Sequence, residues 1–228
     1  MSWPVLLSYS SVWLSRSAHE PWSAPSDIRY SAYSRYKREA SMPVTTLDTK
    51  TALVVIDLQK GVMSYSATPP ISEVVTKAAV LAEAFRRHKL PVVLVTATGR
   101  APGRSEQGQR LGALPPDFAH LVPELKQHPD DHLVIKKTWG AFTNTDLDAH
   151  LRKLGVTQVV ICGVATSIGV ESTARQAHEN GFNVTLATDA MSDMNPDAHA
   201  NSVTRIFPRM SETGTTQEII ALLDKSRA

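Results

Sequence analysis

Five short apolar runs, rich in β-branched residues and separated by longer amphipathic stretches, set the strongest limit on how this chain folds. They read TALVVID (51–57), PVVLVTA (91–97), HLVIKK (132–137), TQVVICG (157–163) and NVTLATD (183–189). Runs that are apolar at nearly every position, rather than at alternate ones, are the pattern of strands buried on both faces. Such strands belong to parallel sheets sandwiched between helices. After Pro69 and Pro70, ISEVVTKAAVLAEAFRRHK places Val74, Val75, Ala78, Leu81, Ala82 and Phe85 at helical spacing and ends on basic residues, as the negative end of a helix dipole favours. Helices are also predicted for TNTDLDAHLRKLG, closed by Gly155, for SIGVESTARQAHENG, ending at Gly181, and for NPDAHANSVTRIF after Pro196. A last helix starts at Thr215, where Glu218 has the spacing of a capping box, and PRMSE is read as an optional edge strand. Right-handed crossovers wind these units into an α/β fold: a doubly wound, Rossmann-like parallel sheet of about five to six strands with helices on both faces.

At 228 residues the chain is long enough for one sizeable core. Its first 42 residues, rich in Ser, Tyr, Trp and Arg, show no sustained period and are expected to be a disordered extension preceding a domain at 43–228. A transit peptide is the other reading of that segment. PVLL is too short for the apolar core of a secretory signal and lacks a basic start. Residues 1–41 hold five basic side chains against three acidic ones, leaving 19 of each in the remainder. A neutral domain offers no electrostatic reason for nucleic acid or an anionic membrane as partner. No segment approaches the roughly 18 continuous apolar residues of a membrane span. A single cysteine excludes an internal disulfide framework and suits a reducing, cytoplasmic setting.

Ligands of doubly wound sheets sit at the carboxyl ends of the strands. That rule singles out Asp57, the 98–110 loop, Lys136 or Lys137, the 163–169 turn and Asp189. Asp57 closes an apolar run, where a carboxylate is either a loop anchor or a reacting group with a shifted pKa. Strand alternation sends Lys136 and Lys137 to opposite faces, so one of them can reach the cleft. A lysine beside Asp57 would favour the ionised carboxylate, although two exposed lysines are the commoner outcome for an isolated pair. Cys162 lies inside VVIC and reads as a small core hydrophobe, not a nucleophile. Ser167 is expected to cap the next helix, and the N–H groups of residues 167–169 to face a substrate oxygen. Arg104 and Arg110 are placed to grip a carboxylate, or are solvated loop residues. Trp139 and Phe142 line the pocket or pack an interface. The histidines show no metal-ligand spacing, and neither a Walker A nor a GxGxxG motif occurs.

Three ordered stretches, TALVVIDLQKGV, VIKKTWGAFTNTDLDAHLRKLGV and VVICGVATSIGVESTARQAHENGF, resemble the isochorismatase-like hydrolase superfamily over about residues 43–225. The resemblance implies a doubly wound parallel sheet and, in most members, an amidase with an Asp, Lys and Cys triad. By motif position Asp57 matches the Asp and Lys136 the Lys, whereas the nucleophilic Cys falls at Gly169. The Asp/His metal set of the nicotinamidases is also missing. The chain is similar in this to true isochorismatases, which lack the Cys, and to a bacterial subgroup with the patterns KRQWGAF and TNIGVESTAR. Gln59, Val164, Ala165, Thr166 and Ser167 join Arg104, Arg110, Trp139 and Phe142 as substrate-binding candidates. Val164–Ala165 stands where the family often has a cis peptide. These likenesses imply a cofactor-free, metal-free hydrolase of a small, carboxylated metabolite, with Asp57 as acid/base, Lys136 as its partner and water as nucleophile. Two alternatives stand beside it: isochorismatase itself, and a non-catalytic binding protein that has lost its nucleophile. A homo-oligomer, dimer or tetramer, is expected from the superfamily.

Overall fold

The computed structural model describes residues 43–106 and 114–227, so the expected extension at 1–42 and Arg110 lie outside the described residues. Six strands form one sheet: β1 Thr51–Ile56, β2 Val92–Ala97, β3 His132–Lys136, β4 Gln158–Val164, β5 Asn183–Ser192 and β6 Glu212–Gly214. Every pairing is parallel, in the order β3-β2-β1-β4-β5-β6. The helices are α1 Ile71–Arg87, α2 Leu147–Lys153, α3 Glu171–Glu179, α4 Pro196–Asn201 and α5 Thr216–Ser226.

Because β1 and β4 are buried at every position and apolar at most, each strand feeds two cores at once. Leu53 and Val55 face α1 and α5, packing with Val74, Leu81, Phe85, Ile219 and Leu223. Ala52, Val54 and Ile56 face the opposite layer, with Leu147 and Leu151 of α2 and Ala174 and Ala177 of α3. The sheet is thus covered on both sides, as the continuous apolar runs require. The strand order reverses between β1 and β4, and crevices open at such switch points. The chain leaves β1 at Asp57 and β4 at the 165–170 turn, so both arrive at this one place.

At Gly163, φ is +118°, and a Cβ there would collide with the Ile56 carbonyl. Only glycine allows β4 to pass β1 so closely at the mouth of the crevice.

Three expectations are corrected. The helix predicted from Ser167 starts at Glu171, preceded by a π turn over Thr166–Val170, and Ser167 does not cap it. β5 continues past its expected end to Ser192, so Asp189 does not reach the crevice. Asp189 instead accepts hydrogen bonds from Thr216 N and Oγ1, at 2.6 and 2.8 Å, and pairs with Lys77. The edge strand lies at Glu212–Gly214, beyond most of PRMSE.

Candidate active site at the β1–β4 switch point

Asp57 is the first residue beyond β1, and its φ of +53° turns the chain out of the sheet. Asp is among the few non-glycine residues that enter this left-handed region at modest cost. Its N–H still bonds to the Val95 carbonyl at 2.9 Å, so the turn starts from a fixed strand end. Lys136, the last residue of β3, is buried, while Lys137 is exposed, as alternation demands. Lys136 Nζ donates to Asp57 Oδ2 at 2.7 Å and to the Thr138 carbonyl at 3.1 Å. The pair is shielded from water, with side-chain exposures of 2% for Lys136 and 13% for Asp57.

The two carboxylate oxygens of Asp57 differ. Oδ2 is held by Lys136, whereas Oδ1 is buried with no hydrogen-bond partner. Burial raises the Asp57 carboxyl from 3.8 to about 6, against the charge and hydrogen bond of Lys136, which lower it. Desolvation therefore wins over the neighbouring cation. The result is a carboxyl group poised close to neutrality, with one oxygen fixed and the other unengaged.

Gly169 forms the wall opposite. A Cβ at this position would lie 3.4 Å from Asp57 Oδ2, 3.0 Å from Ile56 Cγ2 and 3.1 Å from the Val164 carbonyl oxygen. The turn backbone thus packs directly over the carboxylate. It is tied to α3 by Thr173 Oγ1, which donates to the Gly169 carbonyl at 2.7 Å. The Val164–Ala165 peptide is cis.

The expected trio of substrate-facing N–H groups is corrected. Ser167 N and Oγ both donate to Asp193 Oδ2, at 2.8 and 2.7 Å, and Ile168 N donates to the Ala165 carbonyl. Of the three, only that of Gly169 remains a candidate. An internal carboxylate has taken the place at the start of the turn that an anion would otherwise fill. Thr166 is fully buried, with Oγ1 2.9 Å from His199 Nδ1.

Gln59 is also corrected as a ligand contact. It is fully buried, its carbonyl accepts from Ala97 N, and its amide donates to the Ala97 and Phe118 carbonyls. Both amide hydrogens are used in fastening β2 to the loop before β3. Phe142 packs against Phe182 with ring centroids 5.9 Å apart, while Trp139 is exposed, as is Arg104 in the loop after β2. Cys162 is wholly buried, and burial together with the charge of Asp189 pushes its thiol up to about 12. It supplies no thiolate. Among the described residues, no three His, Cys, Asp or Glu side chains converge to hold a metal ion, and no helix is long and apolar enough to cross a membrane.

Asp193 and His199 were missed as functional candidates because β5 was expected to end at Asp189. The signal was present in DMNPD: Asn195 caps α4 by accepting from the N–H groups of Asp197 and Ala198, which puts Asp193 before the cap and at the strand end.

A doubly wound parallel sheet with an Asp–Lys pair at its switch point has the architecture of the hydrolases that the sequence resembles. The Isochorismatase domain model matches residues 51–218, and the chain belongs to the isochorismatase family. The uncharacterized isochorismatase family protein YecD of Escherichia coli O157:H7 is 42% identical over 182 residues, covering 76% of this chain and 96% of that protein. YwoC of Bacillus subtilis, likewise an uncharacterized isochorismatase family protein, is 40% identical over 178 residues, 75% of this chain and 93% of that one. The solved structure of an isochorismatase family protein from Burkholderia thailandensis superposes with a TM-score of 0.76 at 40% identity, covering 81% of this chain and all of that one.

Proposed function

We propose that this protein is a cofactor-free, metal-free hydrolase of a small, carboxylated metabolite, in which Asp57 moves the proton and water is the nucleophile. The observation that carries the reading is the asymmetry of Asp57: Oδ2 held by Lys136, Oδ1 buried and unengaged, and a carboxyl raised to about 6. An acid of this kind is largely protonated below about pH 6 and keeps a minor protonated fraction at neutrality. Oδ1–H protonates the bound substrate, water adds to the electrophilic carbon so formed, and the Asp57 carboxylate recovers a proton from that water. The adduct then collapses, its C–O or C–N bond breaking with the electron pair on the leaving atom, which takes up the adduct's hydroxyl proton. One water is consumed, and no covalent bond forms between substrate and enzyme. Lys136 fixes the carboxyl plane and stabilises the carboxylate left after the transfer. Gly169, at the position where the superfamily carries its nucleophilic Cys, has no side chain to attack, which favours water in that role.

Arg104, exposed in the loop after β2, and Arg110 are the cations proposed to meet a substrate carboxylate. Isochorismatase itself is the narrower reading, supported by the matched domain. A cytoplasmic homo-oligomer, dimer or tetramer, fits the single cysteine and the exposed apolar residues Leu133, Ile135 and Trp139 in and after β3.

The test is turnover of isochorismate, followed by pyruvate release, together with a panel of small carboxylated esters and amides, by wild type and Asp57→Asn. The variant is expected to lose about 10²–10⁴-fold in rate on the compound that wild type hydrolyses, with an unchanged circular dichroism spectrum. A folded Asp57→Asn protein with full activity would overturn the proposal. Pyruvate from isochorismate would select the narrower reading.

A further inference from the structure

The segment following β5 is fastened at several points to the turn that covers Asp57. The buried Asp193 carboxylate receives Ser167 N and Oγ through Oδ2, and Asn195 N through Oδ1. His199 Nδ1 lies 2.9 Å from the buried Thr166 hydroxyl. Ser202 Oγ donates to Glu171 Oε2 at 2.6 Å, just beyond the turn. The first two residues of the turn and the residue after it are therefore gripped from one side, while Gly169 between them faces Asp57. Neither His199 nor Thr166 is bonded to the carboxylate, so any effect on it is transmitted through the turn backbone. His199 itself is half-buried, and burial lowers its pKa against the opposing pull of Asp193. A neutral imidazole can accept the Thr166 hydroxyl proton at Nδ1. An imidazolium can only donate there, leaving that proton without a known acceptor in a buried place.

We propose that His199 is a positioning residue that, through Thr166, keeps Gly169 packed on Asp57 and keeps water from the carboxylate. This rests on the acid role given to Asp57 above. The role asks for a hydrogen-bonding atom at the Nδ1 position, and an asparagine amide offers one at nearly the same place without a titrating group.

The test uses the full chain labelled with ¹³C at the Asp carboxyl carbons. The Asp57 signal is assigned by its loss in Asp57→Asn and followed against pH. Wild type is expected to titrate at about 6. In His199→Ala and Thr166→Val the midpoint is expected to fall by about one unit or more, because water admitted over Asp57 removes part of the desolvation. In His199→Asn it is expected to stay within a few tenths of wild type. A merely structural role for His199 would lower the melting temperature of the variants without moving the midpoint. An unmoved midpoint in the Ala and Val variants overturns the proposal, as does an Asn variant that falls as far as Ala. A wild-type midpoint near 4 overturns the acid role of Asp57 itself, so the two failures are distinguishable.

Discussion

Asp57 is pulled both ways, by burial toward the neutral acid and by Lys136 toward the carboxylate, and its working range depends on keeping both. Lys136→Met removes the cation and leaves a buried, unpaired carboxylate whenever Asp57 ionises. Breaking such a pair costs about 3–5 kcal/mol. The sign follows from protonation: without Lys136 the carboxyl pKa rises further, so at pH 5 the acid is neutral and the penalty disappears, whereas at pH 8 it is present. Urea denaturation of Lys136→Met against wild type is therefore expected to show a loss of about 3 kcal/mol at pH 8 and a clearly smaller one at pH 5. Equal losses at both pH values would contradict this account of the pair. Asp57 and Lys136 were legible in the sequence because each is a charge at the end of an apolar run. Gln59 misled because a polar residue near a strand end suggests a ligand, whereas this one satisfies strand-end backbone groups. Asp193 and His199 were passed over because which turn they touch depends on how far β5 runs, and only the Asn195 cap in DMNPD marks that limit in the sequence.

At the scale of elements, apolar patterning was a good guide wherever burial decides the structure. β1, β2, β3 and α1 fall within one or two residues of their expected limits. The capping box at Thr215 and Glu218 is present, with Thr215 Oγ1 accepting from Glu218 N and Glu218 Oε2 accepting from Thr215 N at 2.7 Å. Glu218 is exposed, and its hydrogen bonds with Thr215 hold its carboxyl below the ordinary value. Thr215→Ala is expected to lower stability by about 1 kcal/mol, read as a shift in the urea midpoint, without changing turnover, because α5 packs on the face away from α3 and its turn. A loss of turnover equal to that of Asp57→Asn would contradict this separation. Patterning failed at the start of α3. A π turn and a helix both bury residues about every fourth position, so the apolar signal cannot distinguish them over five residues. What distinguishes them is Asp193, which takes the Ser167 N–H, and that partner is 26 residues away in sequence.

At the scale of the whole molecule, the order β3-β2-β1-β4-β5-β6 converts distant stretches of sequence into one site. It brings the end of β1, the end of β3 and the turn after β4 to a single crevice, and joins β5's continuation to that turn. The family relationship fixes this architecture, while the chemistry depends on local departures from it. In the proposed mechanism, the absence of a side chain at Gly169 leaves the reaction to Asp57 and water. The central claim is that Asp57 starts the reaction as a proton donor. It is tested most directly by the pH dependence of kcat/KM on the compound that wild type hydrolyses fastest. The account predicts a plateau below about pH 6 and a fall of roughly tenfold per pH unit above it, lost together with activity in Asp57→Asn. A rate that rises through pH 6, or that stays flat from pH 5 to 8, would contradict it.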